Sequence, residues 1–202
     1  MTDWVFRLID QTGYLGVALL MFLETVFPPI PSEVIMPIAG LRASQGPLTL
    51  WGVIASGTAG AMLGNFFWYA AARVIGIDRF RPLIEKHGRW LTIDWPDVEK
   101  AERLFGRFGG ILVGFGRMLP TVRSIISIPA GLLDMRLRTF FIWSTLGTAA
   151  WSAGLAIAGY LLGQRFENIE AIVGPVSTAI IAAIVLSYVW RQATWRNRHP
   201  RG

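Results

Sequence analysis

The chain of 202 residues has no cysteine, only two histidines, and just 16% charged residues. Without cysteine there can be no disulfide, thiolate metal site or cysteine nucleophile. His87 and His199 both lie in basic polar segments, where a solvated side chain is expected rather than a catalytic one. The charge content is well below the ~25% usual for a soluble domain. The opening decapeptide MTDWVFRLID lacks a basic n-region and a small-residue cleavage site, so no removable signal peptide is expected.

What the chain has instead is apolar mass: 53% hydrophobic residues, with nine tryptophans. Tryptophan is enriched where rings sit at a membrane–water interface. The net charge of +6 raises the possibility of nucleic acid. The cations lie between apolar spans, however, so membrane topology and anionic headgroups explain them better, and no nucleic-acid partner is expected. No cofactor and no metal site are expected either.

Two stretches read as copies of one another: VFPPIPSEVIMPIAG at 26–40 and RMLPTVRSIISIPAG at 117–131. At one constant offset Pro29 falls on Pro120, Ala39 on Ala130, Gly40 on Gly131 and Tyr69 on Tyr160. Each copy puts proline and charge into sequence otherwise fit for a bilayer: Glu24 and Glu33 mark the first, Arg117 and Arg123 the second. Ionisable groups at membrane depth are costly and are functional candidates by default.

Residues 1–13 read as a short interfacial helix with Trp4, Val5, Leu8 and Ile9 on one side. Residues 14–45 read as a re-entrant hairpin. Its first arm, about 21 Å as a helix, is too short for a ~30 Å hydrocarbon core. Pro28, Pro29 and Pro31 then break the helix, and Ser32 and Glu33 are placed to cap the next one. Non-helical backbone at membrane depth must be buried in protein or face water, so the tip should line a cavity. Residues 48–75 are long enough to span and carry Gly57, Gly60 and Gly64, a face for close packing. Arg73, near the end of this span, reads most simply as a snorkelling interface anchor. Residues 76–107 form a polar, amphipathic connector, and 108–133 a second hairpin whose arms are again too short to cross. Residues 139–162 and 171–190 read as two further spans, and 191–202 as a basic tail.

The connector, counted from Arg73, and the tail hold twelve of the nineteen cations and are separated by two crossings. The positive-inside rule makes that side cytoplasmic, C-terminus included. The first hairpin then enters from outside and the second from inside. The fold class expected is an all-α integral membrane protein. It has two inverted repeats, each a re-entrant hairpin plus a spanning helix, with one additional C-terminal span and the tips meeting near the midplane.

Two readings are open for the charged residues. Arg117 and Arg123 flank Pro120 across a broken turn and could seat a phosphate, since a guanidinium grips phosphate oxygens bidentately and half-helix N-termini favour anions. Alternatively they pair with Glu24 and Glu33 and seal the hairpins. Glu24 lies among Phe22, Leu23, Val26 and Phe27. Charge is disfavoured in such a setting, so a carboxyl there is a candidate for proton exchange, or else half of a permanent ion pair. Glu33 is a second proton-coupling candidate or only a helix cap.

At these residues the sequence resembles the DedA family of bacterial inner-membrane proteins, also described as SNARE-associated or VTT-type. The resemblance covers roughly residues 13–163. It rests on FLETVFPPIPSE, on Gly64-Asn65 to Tyr69 with Arg73 and Gly76, and on GRMLPTVRSIISIPAG followed by Phe140, Gly147 and Trp151. Arg-x-x-Pro-x-x-Arg is the most specific of these. Where many members carry Asp in a Gly-Asp loop, this chain has Pro-Ser-Glu. The resemblance implies a lipid transporter of the bacterial inner membrane. It would return a phosphorylated carrier such as undecaprenyl phosphate across the bilayer, with dependence on the proton motive force. By motif position it assigns Glu24 and Glu33 as the functional acids and Arg117 and Arg123 as the functional arginines. It favours phosphate binding by the arginines. A proton-coupled exporter of ions or cationic compounds needs the acids but has no clear use for two tip arginines. A membrane lipid phosphatase would want a histidine nucleophile near arginines, and neither histidine is so placed. The sequence leaves a homo-oligomer open.

Overall fold

The computed structural model describes residues 3–27, 32–91, 95–123 and 125–165. Among these the chain is helical apart from short turns. The amphipathic opening segment forms α1 (Asp3–Thr12), and Gly13, at φ 59°, turns the chain into α2 (Tyr14–Val26). The buried stripe of α1 is Val5, Phe6 and Ile9, while Trp4 stays 42% exposed. The expected apolar side is thus rotated by part of a turn, because α1 packs on the protein's own core. Arg42 in α3 (Ser32–Ser44) ties the two elements: it reaches Asp10 at 2.7 Å and lies over the Phe6 ring at 5.1 Å.

Helices α2 and α3 have 13 residues each, roughly 20 Å, and neither reaches across a ~30 Å core. The proline break expected between them lies outside the described residues. α4 (Leu50–Leu91) is interrupted at Gly76 (φ 71°, ψ 160°), where the sequence shifts from apolar to basic. α5 (Trp95–Gly116) is interrupted at Phe108 (φ −131°, ψ 17°), where apolar sequence resumes. Then follow α6 (Pro120–Arg123), α7 (Ser127–Leu132) and α8 (Leu137–Arg165). Two stretches of 28 residues, Leu50–Ile77 and Leu137–Gln164, are long and apolar enough to cross a membrane. The span expected at 171–190 and the tail at 191–202 lie outside the described residues.

Glycines decide which helices touch. A side chain at Gly60 of α4 would run into the Ala18 carbonyl of α2, and one at Gly64 into Thr25. Gly131 of α7 lies against the Tyr69 backbone of α4. Gly159 of α8 lies against the Pro37 carbonyl of α3, and Gly147 against the Gly114 carbonyl of α5. α4 therefore carries α2 and α7, while α8 carries α3 and the end of α5.

One core joins Val5, Val17, Leu20, Met21, Ile35, Ile38 and Val53 with Ala156 of α8. A second joins Tyr69, Val113, Ile126, Ala130 and Phe140, with Tyr69 and Phe140 stacked at 4.3 Å between centroids. The outward surface is apolar as well: Trp51 is 80% exposed, Val74 79% and Leu15 73%. Such a surface suits lipid, with the polar side chains turned inward. Ser144, Thr148 and Ser152, four apart on α8, are all buried, as are Thr58 and Asn65 on α4.

Candidate functional site

Arg117 follows the last residue of α5, where a helix's C-terminal dipole favours a cation. This differs from the half-helix N-terminus expected for it. Its side chain is only 2% exposed and is held entirely by oxygens that carry no formal charge. One terminal nitrogen donates to Asn65 Oδ1 at 2.7 Å and to the Arg123 carbonyl. The other donates to Ser127 Oγ at 2.7 Å and Ser144 Oγ at 3.2 Å. Asn65 comes from α4, Ser127 from α7 and Ser144 from α8, so this guanidinium ties three helices together. It also lies 5.8 Å from the centre of the Phe140 ring.

Arg123 ends α6 and is 9% exposed. It pairs with Glu24 of α2, itself 4% exposed. This ion pair joins the two charged stretches through residues 99 positions apart in the chain. Thr25 Oγ1 donates to Glu24 Oε2 at 3.4 Å. On its other side Arg123 lies 5.8 Å from the Trp151 ring centre.

Glu24, Thr25, Ala61, Asn65, Arg117, Arg123, Thr148 and Trp151 wall a cavity of about 10 Å³, room for one water. Asn65 Nδ2 reaches across to Thr148 Oγ1 at 3.4 Å. Among the described residues Arg117 has no carboxylate within ion-pair reach. By formal charge the side chains that line the cavity, two cations and one anion, carry one positive charge in excess.

A family model for the VTT domain matches residues 27–161. The chain belongs to the VTT-domain, or DedA, family. It is similar to an "Alkaline phosphatase-like protein" of Lactococcus lactis, 35% identical over 94% of this chain and 89% of the relative. It is also similar to proteins named "Undecaprenyl phosphate transporter A". That of Bacillus subtilis is 31% identical over 92% of each chain, and that of Staphylococcus aureus 28% over 94% of each. No solved structure matches.

The structure brings together three of the five residues expected at the site: Glu24, Arg117 and Arg123. Glu33 lies half-buried in the first turn of α3, near enough to act electrostatically on Glu24, with no ion pair of its own among the described residues. Ser32, expected as a cap, opens α3 with its buried hydroxyl unpartnered. Pro120 is the first residue of α6, where its missing N–H costs nothing. Sequence reasoning passed over Asn65, Ser127, Ser144 and Thr148 as site residues. The available signal was polar side chains spaced by helical turns in apolar spans. Arg73 does not simply snorkel. It lies 3.3 Å from Asp134 Oδ1, donates to the Met135 carbonyl at 3.0 Å, and so fixes the turn before α8.

Proposed function

We propose that this VTT-domain protein moves a phosphorylated lipid carrier, of the undecaprenyl phosphate kind, between membrane leaflets. Arg117 and Arg123 would hold the phosphate and Glu24 would exchange the proton. The observation that carries this reading is Arg117, a buried guanidinium with no carboxylate partner among the described residues. A buried charge without a counterion is costly, and an anion delivered to the cluster would offset it. The names of the two transporter relatives agree with the substrate class.

The cavity is too small for a phosphate while Glu24 holds Arg123. Entry of the phosphate would replace one anion on Arg123 by another, and the released carboxylate would be free to take a proton. With Glu24 protonated, the two arginines balance a phosphate monoester carrying two negative charges. Coupling of one proton to one phosphate follows from that balance. Glu33, in the first turn of α3, is a secondary proton-handling candidate.

The same reading takes α2–α3 and the end of α5 through α7 as two re-entrant hairpins in inverted repeats. Support comes from their crossed packing. The first arm of each hairpin lies on the long helix that follows it, and the second arm on the long helix of the other half. The connector and tail would then be cytoplasmic and the membrane the bacterial inner membrane.

Melting curves of the purified protein with a prenyl monophosphate, and with the matching prenyl alcohol, test the substrate class. The wild type should be stabilised by the phosphate alone, by about 2.7 kcal/mol at a hundredfold excess over Kd. Arg117→Lys and Arg123→Lys keep the charge but lose the planar fork, so both should lose most of that stabilisation. Equal stabilisation of all three proteins would remove the arginines from the seat. Continuous release of inorganic phosphate during incubation would instead favour a phosphatase.

A further inference from the structure

Three buried N–H donors around the cavity have no hydrogen-bond partner among the described residues: Arg117 Nε, Arg123 Nε and Trp151 Nε1. Buried polar atoms are nearly always paired, and the three side chains that carry these orphans all line one small cavity, so a single ligand there could serve all three. All three belong to groups that can only donate, so none can satisfy another. A ligand that satisfies all three must bring several acceptor oxygens to one point.

Resting on the reading of the site as a phosphate seat, we propose that the indole N–H of Trp151 is a direct phosphate ligand, the third donor beside the two arginines. Trp151 is placed for this by α8, and the Arg123 guanidinium lies over its ring. That ring contact keeps the planar cation in place when Glu24 leaves it, because an aromatic face attracts a cation without competing for its N–H groups. The indole N–H adds a donor without adding charge. A phosphate oxygen between Arg123 and Trp151 then receives a charge-assisted bond on each side. Two positive charges and one neutral donor from a rigid ring distinguish a terminal phosphate from a smaller or less charged anion.

The test separates the N–H from the ring. Replacing Trp151 by benzothienylalanine exchanges the N–H for sulfur and keeps the bicyclic ring, so packing and the contact with Arg123 survive. Trp151→Phe serves as a second variant. Affinity for farnesyl phosphate is measured by calorimetry in detergent, with farnesol as control. The wild type should bind the phosphate and not the alcohol. Both variants should bind about tenfold or more weakly, the loss of one hydrogen bond to a charged group, while basal melting stays close to wild type. In the wild type labelled with ¹⁵N at indole nitrogens, the resonance missing from the benzothienyl protein should move downfield with farnesyl phosphate and stay in place with farnesol. Wild-type affinity in the benzothienyl protein, or an unmoved indole resonance on phosphate binding, overturns the role of Trp151 and leaves the seat standing. Failure of the wild type to bind farnesyl phosphate overturns the seat and Trp151 together.

Discussion

Arg117 and Arg123 are the same residue type six positions apart, and their surroundings divide the work between them. Four oxygens from α4, the α6 end, α7 and α8 hold Arg117, so it fixes helices as well as charge. Arg123 has one acidic partner, Glu24, and an aromatic face. Breaking a buried pair from one side leaves an unpaired charge and costs about 3–5 kcal/mol. Glu24→Gln and Arg123→Gln should each lower stability by that order, and the double variant should recover most of the loss. A double-variant loss equal to the sum of the single losses, read in denaturation curves, would show that the two residues do not depend on each other. The arginines and Glu24 were legible in the sequence because charge is conspicuous in an apolar run. Their pairing was not, since Glu24 and Arg123 are 99 residues apart and only packing chooses between Glu24 and Glu33. Serine, threonine and asparagine stayed in the background for a related reason. They are cheap enough in a membrane helix to occur for many purposes, and only their common face marks Ser144, Thr148 and Ser152.

The elements followed from length and punctuation. The boundaries at 75/76 and 107/108 were readable as the edges of apolar stretches, and the backbone leaves helical geometry at Gly76 and Phe108. The orientation of α1 was not readable, because Trp4 and Phe6 are equally apolar and the choice depends on what lies beneath them. Small residues set the helix contacts, and this gives a paired prediction. Gly60→Ala would press a methyl group into the Ala18 carbonyl of α2, whereas a methyl group at Gly154 meets nothing. Overpacking at Gly60 should cost about 1–3 kcal/mol. Gly154→Ala should be neutral or stabilising by up to about 1 kcal/mol, the helix preference of alanine over glycine. Melting temperatures of the two variants check this, and equal effects would mean that α2 and α4 are not in close contact.

For the molecule as a whole, the absence of native cysteine makes topology directly measurable. Single cysteines at Gln11 and Gln45 flank the first hairpin at exposed positions, and ones at Arg107 and Arg138 flank the second. The inverted-repeat reading expects the first two to react with an impermeant thiol reagent from outside and the second two only after the membrane is opened. Gln11 and Gln45 reacting from opposite faces would make α2 and α3 a crossing pair and end the re-entrant account. The central claim is that a buried, net-positive cluster carries a lipid phosphate across the bilayer with a proton. Its most direct measurement is leaflet-resolved movement of a prenyl monophosphate in proteoliposomes, with and without a pH gradient. The wild type should move the lipid faster with the gradient, Arg123→Gln should fall to the rate of protein-free vesicles, and Glu24→Gln should lose its response to the gradient. Movement by Arg123→Gln at the wild-type rate, with the same response to the gradient, would contradict the account.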